Sequence, residues 1–148
     1  MDTPTIQELR ELTQQLPERI PYLKMLVLFG SRATGKIHAQ SDWDFAALYN
    51  QEERKTHIQD NDWGWFGVPL ILGESFGINP DKIDVLELNN CSWLIAHFVA
   101  RDGILLYEKA PGGFEYFRLT SLRPESEMKK FRQQQRQLIE MALQKWGL

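Results

Sequence analysis

Apolar residues in this chain recur at two spacings, and the switches between them mark the elements. Ile6, Leu9, Leu12 and Leu16 fall three or four residues apart behind the capping-box pattern Thr5-Ile6-Gln7-Glu8, which predicts a first helix ending near Pro17. Tyr22 to Phe29 is an apolar run of strand length stopped by Gly30-Ser31. The polar stretch Arg32 to Ser41 follows, with one or two helical turns expected at its start. Asp44 to Tyr49 reads as a second strand, ended by the polar cluster Asn50 to Lys55. Between 60 and 78, Trp63, Trp65, Phe66, Leu70, Ile71 and Leu72 call for burial, while Gly64, Gly67, Pro69 and Gly73 oppose a regular helix. An irregular helical segment is expected there. Asn79-Pro80-Asp81 is a turn, and Lys82 to Leu88 a third strand. Ser92 caps a helix that stops at Asp102-Gly103, and Ile104 to Glu108 is a short fourth strand. Pro124 suits the first turn of a long closing helix running to about Trp146. Its residues Met128, Phe131, Leu138, Ile139 and Ala142 share a broad face, the usual mark of core or subunit contact.

These elements make one α/β domain, a small sheet with helices packed on it, over residues 1–148. Such a length buries one core but not two. Hydrophobic residues at 43% and charged ones at 25% are those of an ordinary soluble protein. The longest clear apolar run, Met25 to Phe29, is far short of the ~18 residues of a membrane span, so no membrane role is expected. The polar N-terminus is not a secretory signal, and the lone Cys91 removes internal disulfides and a cysteine-rich zinc site. A reduced, cytoplasmic setting is expected. The net charge of -3 argues against nucleic acid as a primary partner. From Arg118 onward seven Lys or Arg face three Glu, a balance of +4, which leaves -7 on the first 117 residues. That asymmetry suits a solvated helix face or a partner surface.

The candidate chemistry lies in Leu28-Phe29-Gly30-Ser31-Arg32-Ala33-Thr34-Gly35 and Ser41-Asp42-Trp43-Asp44-Phe45. Residues two apart on a strand point to the same side, so Asp42 and Asp44 converge while Trp43 faces away. Two carboxylates that close repel unless a cation lies between them, and an all-oxygen site suits magnesium or manganese. Asp60 and Asp62 have the same spacing but lie in a polar turn, where a helix cap or solvated acids explain them. At Gly30 a phosphate could approach the backbone, and Ser31 offers a hydroxyl and an N–H, or is an ordinary cap. Arg32 and Lys36 are candidate counter-charges for a triphosphate, although Arg32 could pair with a nearby acid. Asp84 stands in a strand whose two faces both look covered, Ile83 and Val85 on one and Leu86 and Leu88 on its own. A lone charge there needs compensation, from Lys24, from Lys82 or from a metal shared with Asp42 and Asp44.

Gly30-Ser31, ten residues, then Asp42-Trp43-Asp44 resembles the signature of the polymerase-beta-like nucleotidyltransferases. With Arg32, Thr34, Gly35 and Ser41, the string is similar to the minimal nucleotidyltransferase branch, whose members are often antitoxins paired with HEPN toxins. The motif spans about a tenth of the chain, and strand order with the late Asp84 extends the resemblance to about residue 108. It implies a mixed sheet flanked by helices, a catalytic core over about 22–108 and a C-terminal helical segment over about 114–146. It also implies Asp42, Asp44 and Asp84 as catalytic and magnesium-binding carboxylates, and Gly30, Ser31 and Arg32 as nucleotide-binding residues for ATP. In HEPN-linked members the acceptor is a tyrosine of the toxin, so the resemblance implies a HEPN-type toxin as partner and an oligomer formed with it.

Other chemistry is less well supported. His38, His57 and His97 show no ligand spacing, and His97 is expected to be a packed or surface residue. Trp63, Trp65 and Phe66 could stack on adenine, but core packing is the simpler role. Two competing functions remain: a small-molecule nucleotidyltransferase with an aminoglycoside-type hydroxyl acceptor, and a non-catalytic antitoxin that neutralises by covering its partner. The first usually needs an added acceptor domain. The second gives no reason to cluster three acids.

Overall fold

The computed structural model describes residues 3–37, 41–59 and 67–147. His38, Asp60, Asp62, Trp63, Trp65 and Phe66 therefore lie outside the described residues. Helix α1, Ile6–Leu12, starts on Thr5, whose hydroxyl accepts the Glu8 N–H at 3.1 Å. The chain does not stop at Pro17. That residue occupies the first turn of a short helix α2, Leu16–Arg19, where its missing N–H leaves no helical bond unmade. Strand β1 is Leu23–Phe29, and α3, Ser31–Thr34, is the single helical turn expected after Gly30. Strand β2 covers Trp43–Tyr49.

Asn50 to Lys55 is not only a strand terminator. Helix α4, Gln51–Gln59, begins there, with the Asn50 side-chain oxygen accepting the N–H groups of Glu52 and Glu53. Helix α5, Gly67–Phe76, is regular where an irregular segment was expected. Gly67 and Pro69 stand in its first turn, and Val68, Leu72 and Phe76 bury the helix against the sheet. Strand β3, Ile83–Glu87, helix α6, Trp93–Asp102, and strand β4, Ile104–Glu108, follow, with Ser92 accepting from the Ile95 N–H at the start of α6. The C-terminal helical segment is two helices, α7 over Gly113–Ser121 and α8 over Glu125–Lys145. The Glu108 carboxylate fixes the start of α7 by accepting from Gly112 and Phe114 N–H.

The sheet is mixed, in the order β3-β2-β1-β4. β1 is antiparallel to β2 and β4, while β2 and β3 run parallel. Alternation along the strands builds two cores. Leu26, Leu28, Trp43, Phe45, Ala47, Tyr49 and Ile83 face α1 and α5. Met25, Val27 and Ala46 face the other way, towards Val99 of α6 and Phe114 and Phe117 of α7. Only Met128 of α8 is buried, and Phe131 is half-buried edge-on to Trp93. Leu138 at 58% exposure and Ile139 at 59% are solvated, so the broad face is not core beyond residue 131.

Candidate active site

Register explains how the acids meet. Asp44 pairs with Phe29 of β1 on one side and with Asp84 of β3 on the other. Residues directly opposite in a ladder point to the same side, so Asp44 and Asp84 share the face that α6 and α7 cover further along. Asp42 stands just before β2, two residues from Asp44. Asp44 is half-buried, while Asp42 and Asp84 are exposed. Burial raises the Asp44 carboxyl above its ordinary pKa, and the charges of Asp84 and Asp42 add to the rise. Asp42 just before β2, Asp44 on it and Asp84 on β3 thus load one patch with negative charge.

The burial expected for Asp84 is not found. β3 is an edge strand, and Leu86 and Leu88 are the residues that reach the second core, leaving the Asp84 end open. Lys24 stands near the opposite end of β1 from Phe29 and so is remote from Asp84. What holds Asp84 in place is its pairing with Asp44.

The Gly30 corner lies against one of these carboxylates, that of Asp44. Gly30 has φ +77°, a conformation that favours glycine, and any Cβ there would overlap the Asp44 carboxylate, whose Cγ would lie 3.2 Å away. Its carbonyl accepts from Ala33 and Thr34 N–H, which turns the chain into α3 and presents Ser31 at the helix start. The first amides of a helix have no intrahelical acceptor and favour anionic oxygen. Thr34 donates its hydroxyl to the Gly30 carbonyl, and Gly35 closes the turn in the left-handed conformation. Arg32 is engaged with protein. Its guanidinium donates to the Ser41 carbonyl at 2.8 and 3.3 Å and lies over the Trp43 ring, 4.1 Å from the centroid. Trp43, 6% exposed, points into the first core and stacks on Phe45. The Arg32–Trp43 contact was missed in the sequence, where the only signal is that a residue between two same-facing aspartates must face inward. Lys36 is exposed and close enough to Asp102 to help lower its carboxyl pKa, after the larger effect of the Arg101 hydrogen bond.

The donor set suits a hard divalent cation, being all carboxylate oxygen. Among the described residues no group of three His, Cys, Asp or Glu side chains forms a ready-made metal cage. Magnesium needs none, since it keeps several waters and draws ligands from one or two carboxylates and from phosphates. His97 is a buried structural residue, its Nδ1 accepting the Arg123 N–H at 3.0 Å. His57 packs on the Tyr22 ring. No helix among the described residues is long and apolar enough to cross a membrane.

Comparison with known proteins agrees with this geometry. The sequence profile of the family described as "Polymerase beta, Nucleotidyltransferase" matches residues 10–111. The protein adenylyltransferase MntA of Aphanizomenon flos-aquae is 57% identical over 145 residues, covering 98% of this chain and 97% of the relative. Among solved structures, a toxin–antitoxin crystal structure with AMP-PNP is 21% identical at a TM-score of 0.53, covering 91% of this chain and 98% of the other. A complex of the tri-AMPylated Shewanella oneidensis HEPN toxin with its MNT antitoxin is 20% identical at a TM-score of 0.50, covering 95% and 99%. At that identity the structures speak for the shared fold.

Proposed function

This chain belongs to the polymerase-beta nucleotidyltransferase family, and from that premise we propose that it is a magnesium-dependent protein adenylyltransferase acting as an antitoxin. Its substrate is ATP, and the acceptor is a tyrosine hydroxyl on a HEPN-type RNase partner. The observation that carries the reading is the convergence of Asp42, Asp44 and Asp84 beside the Gly30–Ser31 corner. Identity of 57% along nearly the whole length of a protein adenylyltransferase supports the acceptor class.

The steps follow from the residues. Gly30 leaves room for phosphate oxygens against the backbone, and the hydroxyl and N–H of Ser31 hold the triphosphate end. Asp42 and Asp44 would hold magnesium, with Asp84 completing the site. Such an ion would supply positive charge towards the phosphate oxygens and the acceptor hydroxyl. The acceptor oxygen forms a bond to the α-phosphorus as the bond from that phosphorus to the pyrophosphate oxygen breaks. The hydroxyl proton passes to Asp84, and pyrophosphate leaves. Positioning and charge do most of the work, as in phosphoryl transfer generally.

The test is direct. Purified chain, its HEPN partner, ATP and magnesium are incubated, and both proteins are weighed by intact mass spectrometry. The partner is expected to gain one or more AMP units, lost on mutating its acceptor tyrosine. Transfer by an Asp42→Asn/Asp44→Asn protein at wild-type rate would remove the assignment.

A further inference from the structure

Arg32 follows the Gly30–Ser31 corner directly and, as a cation beside a phosphate site, invites assignment to the triphosphate. Its guanidinium is spent otherwise. Nη2 donates to the Ser41 carbonyl at 2.8 Å and Nε to the same oxygen at 3.3 Å. The group also covers the Trp43 indole, 4.1 Å from the ring centroid. Both residues it grips are buried, Ser41 at 4% exposure and Trp43 at 6%. They are the chain neighbours of Asp42 on either side, and Trp43 is the residue between Asp42 and Asp44.

We infer that Arg32 is a positioning residue: it sets the Ser41–Trp43 run, and through it the direction of Asp42, and is not a ligand of the triphosphate. This rests on the proposed metal role of the aspartates. The ladder with β3 begins at Trp43, so exposed Asp42 lies outside it while close enough to Asp44 for their charges to interact. Like charge on Asp42 and Asp44 favours their moving apart, and a fixed neighbour on each side of Asp42 opposes that drift. The planar guanidinium suits the task because it stacks on an aromatic face while its edge donates in a fork. An ammonium would do one or the other. Arg32 thereby ties α3, which carries Ser31, to the start of β2, so the phosphate corner and the carboxylates move as one unit.

The test compares Arg32→Ala, Arg32→Lys and Trp43→Phe with wild type, each checked for folding by thermal melt. AMP transfer is measured with ATP varied at saturating magnesium, and again with magnesium varied at fixed ATP. Manganese binding is followed by electron paramagnetic resonance on protein with a non-hydrolysable ATP analogue, which needs no turnover. Both Arg32 variants are expected to lower kcat by roughly tenfold or more and to weaken manganese binding, with the KM for ATP moving less than about threefold. Trp43→Phe keeps a buried aromatic face and is expected to fall between them and wild type. Arg32→Ala added to Asp42→Asn is expected to weaken manganese binding no further than Asp42→Asn alone. A KM for ATP raised about tenfold with kcat and manganese binding unchanged would make Arg32 a phosphate ligand and overturn the inference. Wild-type behaviour of Arg32→Lys would overturn it too. Either result leaves the proposed function standing, whereas transfer by the Asp42→Asn/Asp44→Asn protein would bring down both.

Discussion

Asp44 sits where three demands meet: a ladder position, a half-buried face and two acidic neighbours. Its raised pKa has a definite consequence for stability. A carboxyl that holds its proton more tightly when folded contributes stability below its unfolded value, about 3.9, and loses that contribution as pH rises through the folded value. Asp44→Asn is therefore expected to gain on wild type from about pH 4 upward, by on the order of 1–2 °C in Tm at neutral pH without metal. An equal or lower melt at pH 7, measured by circular dichroism, would show that repulsion is not felt there. The same substitution, together with Asp42→Asn, is expected to reduce AMP transfer by at least about a thousandfold, because in the proposed function these groups hold the cation. Gly30→Ala tests the corner from the other side. A forced positive φ and an overlap with the Asp44 carboxylate are expected to cost about 1–3 kcal/mol and most of the activity, read by denaturant melt and transfer rate. At this scale much of the site was legible. The alternation rule put Asp42 and Asp44 on one side and Trp43 on the other without knowledge of the fold. Asp84 lacks the burial that the sequence suggests, because Leu86 and Leu88 imitate a covered face that stops short of it. The grip of Arg32 on Ser41 and Trp43 joins two segments through a loop, and no local spacing encodes it.

Elements were readable in proportion to how strongly apolar periodicity marks them. The four strands and the helices capped by Thr5 and Ser92 stand within a few residues of expectation. Helix α4 escaped because it is polar almost throughout. Its start signal, Asn50 followed by Glu52 and Glu53, was present but had no apolar stripe behind it. Helix α5 is regular despite its glycines and proline: Gly67 and Pro69 fall in the first turn, which tolerates both, and interior Gly73 lets the Ile78 carbonyl and Pro80 pack where a Cβ would stand. Helix α8 shows how a correct pattern can lack a destination: its stripe exists, but past Phe131 it meets solvent, ending at Trp146 with 77% exposure. A chain ending after Gln133 is accordingly expected to melt within about 2 °C of full length, because surface residues without packing rarely contribute more than a few tenths of a kcal/mol. A larger drop in a thermal scan would mean that the distal helix packs on the body in solution.

The whole molecule pairs a sheet face closed by α1 and α5 with a second face that α6 and α7 close only in part, and the acids occupy the open end. If the proposed site binds its ligands, they stabilise the folded state by mass action. Magnesium with a non-hydrolysable ATP analogue at about a hundred times its Kd is expected to add about 2.7 kcal/mol, some 5–10 °C in Tm, measurable by differential scanning fluorimetry. Either component alone should give far less, and the Asp42→Asn/Asp44→Asn protein almost none. The parallel contact between β2 and β3 deserves a last consideration, for these strands are joined through α4 and α5 and not by a tight hairpin. Their offset is pinned at the far end by Asn89, whose side chain accepts the Tyr49 N–H at 3.0 Å and donates to the Tyr49 carbonyl at 2.8 Å. A residue inserted in the Asn79–Lys82 turn that pushed β3 one step along would break that clamp, and period-two geometry would send Asp84 through to the opposite side of the sheet. The proposed chemistry would go with it, since the candidate centre depends on an alignment of strands as much as on the identity of three acids.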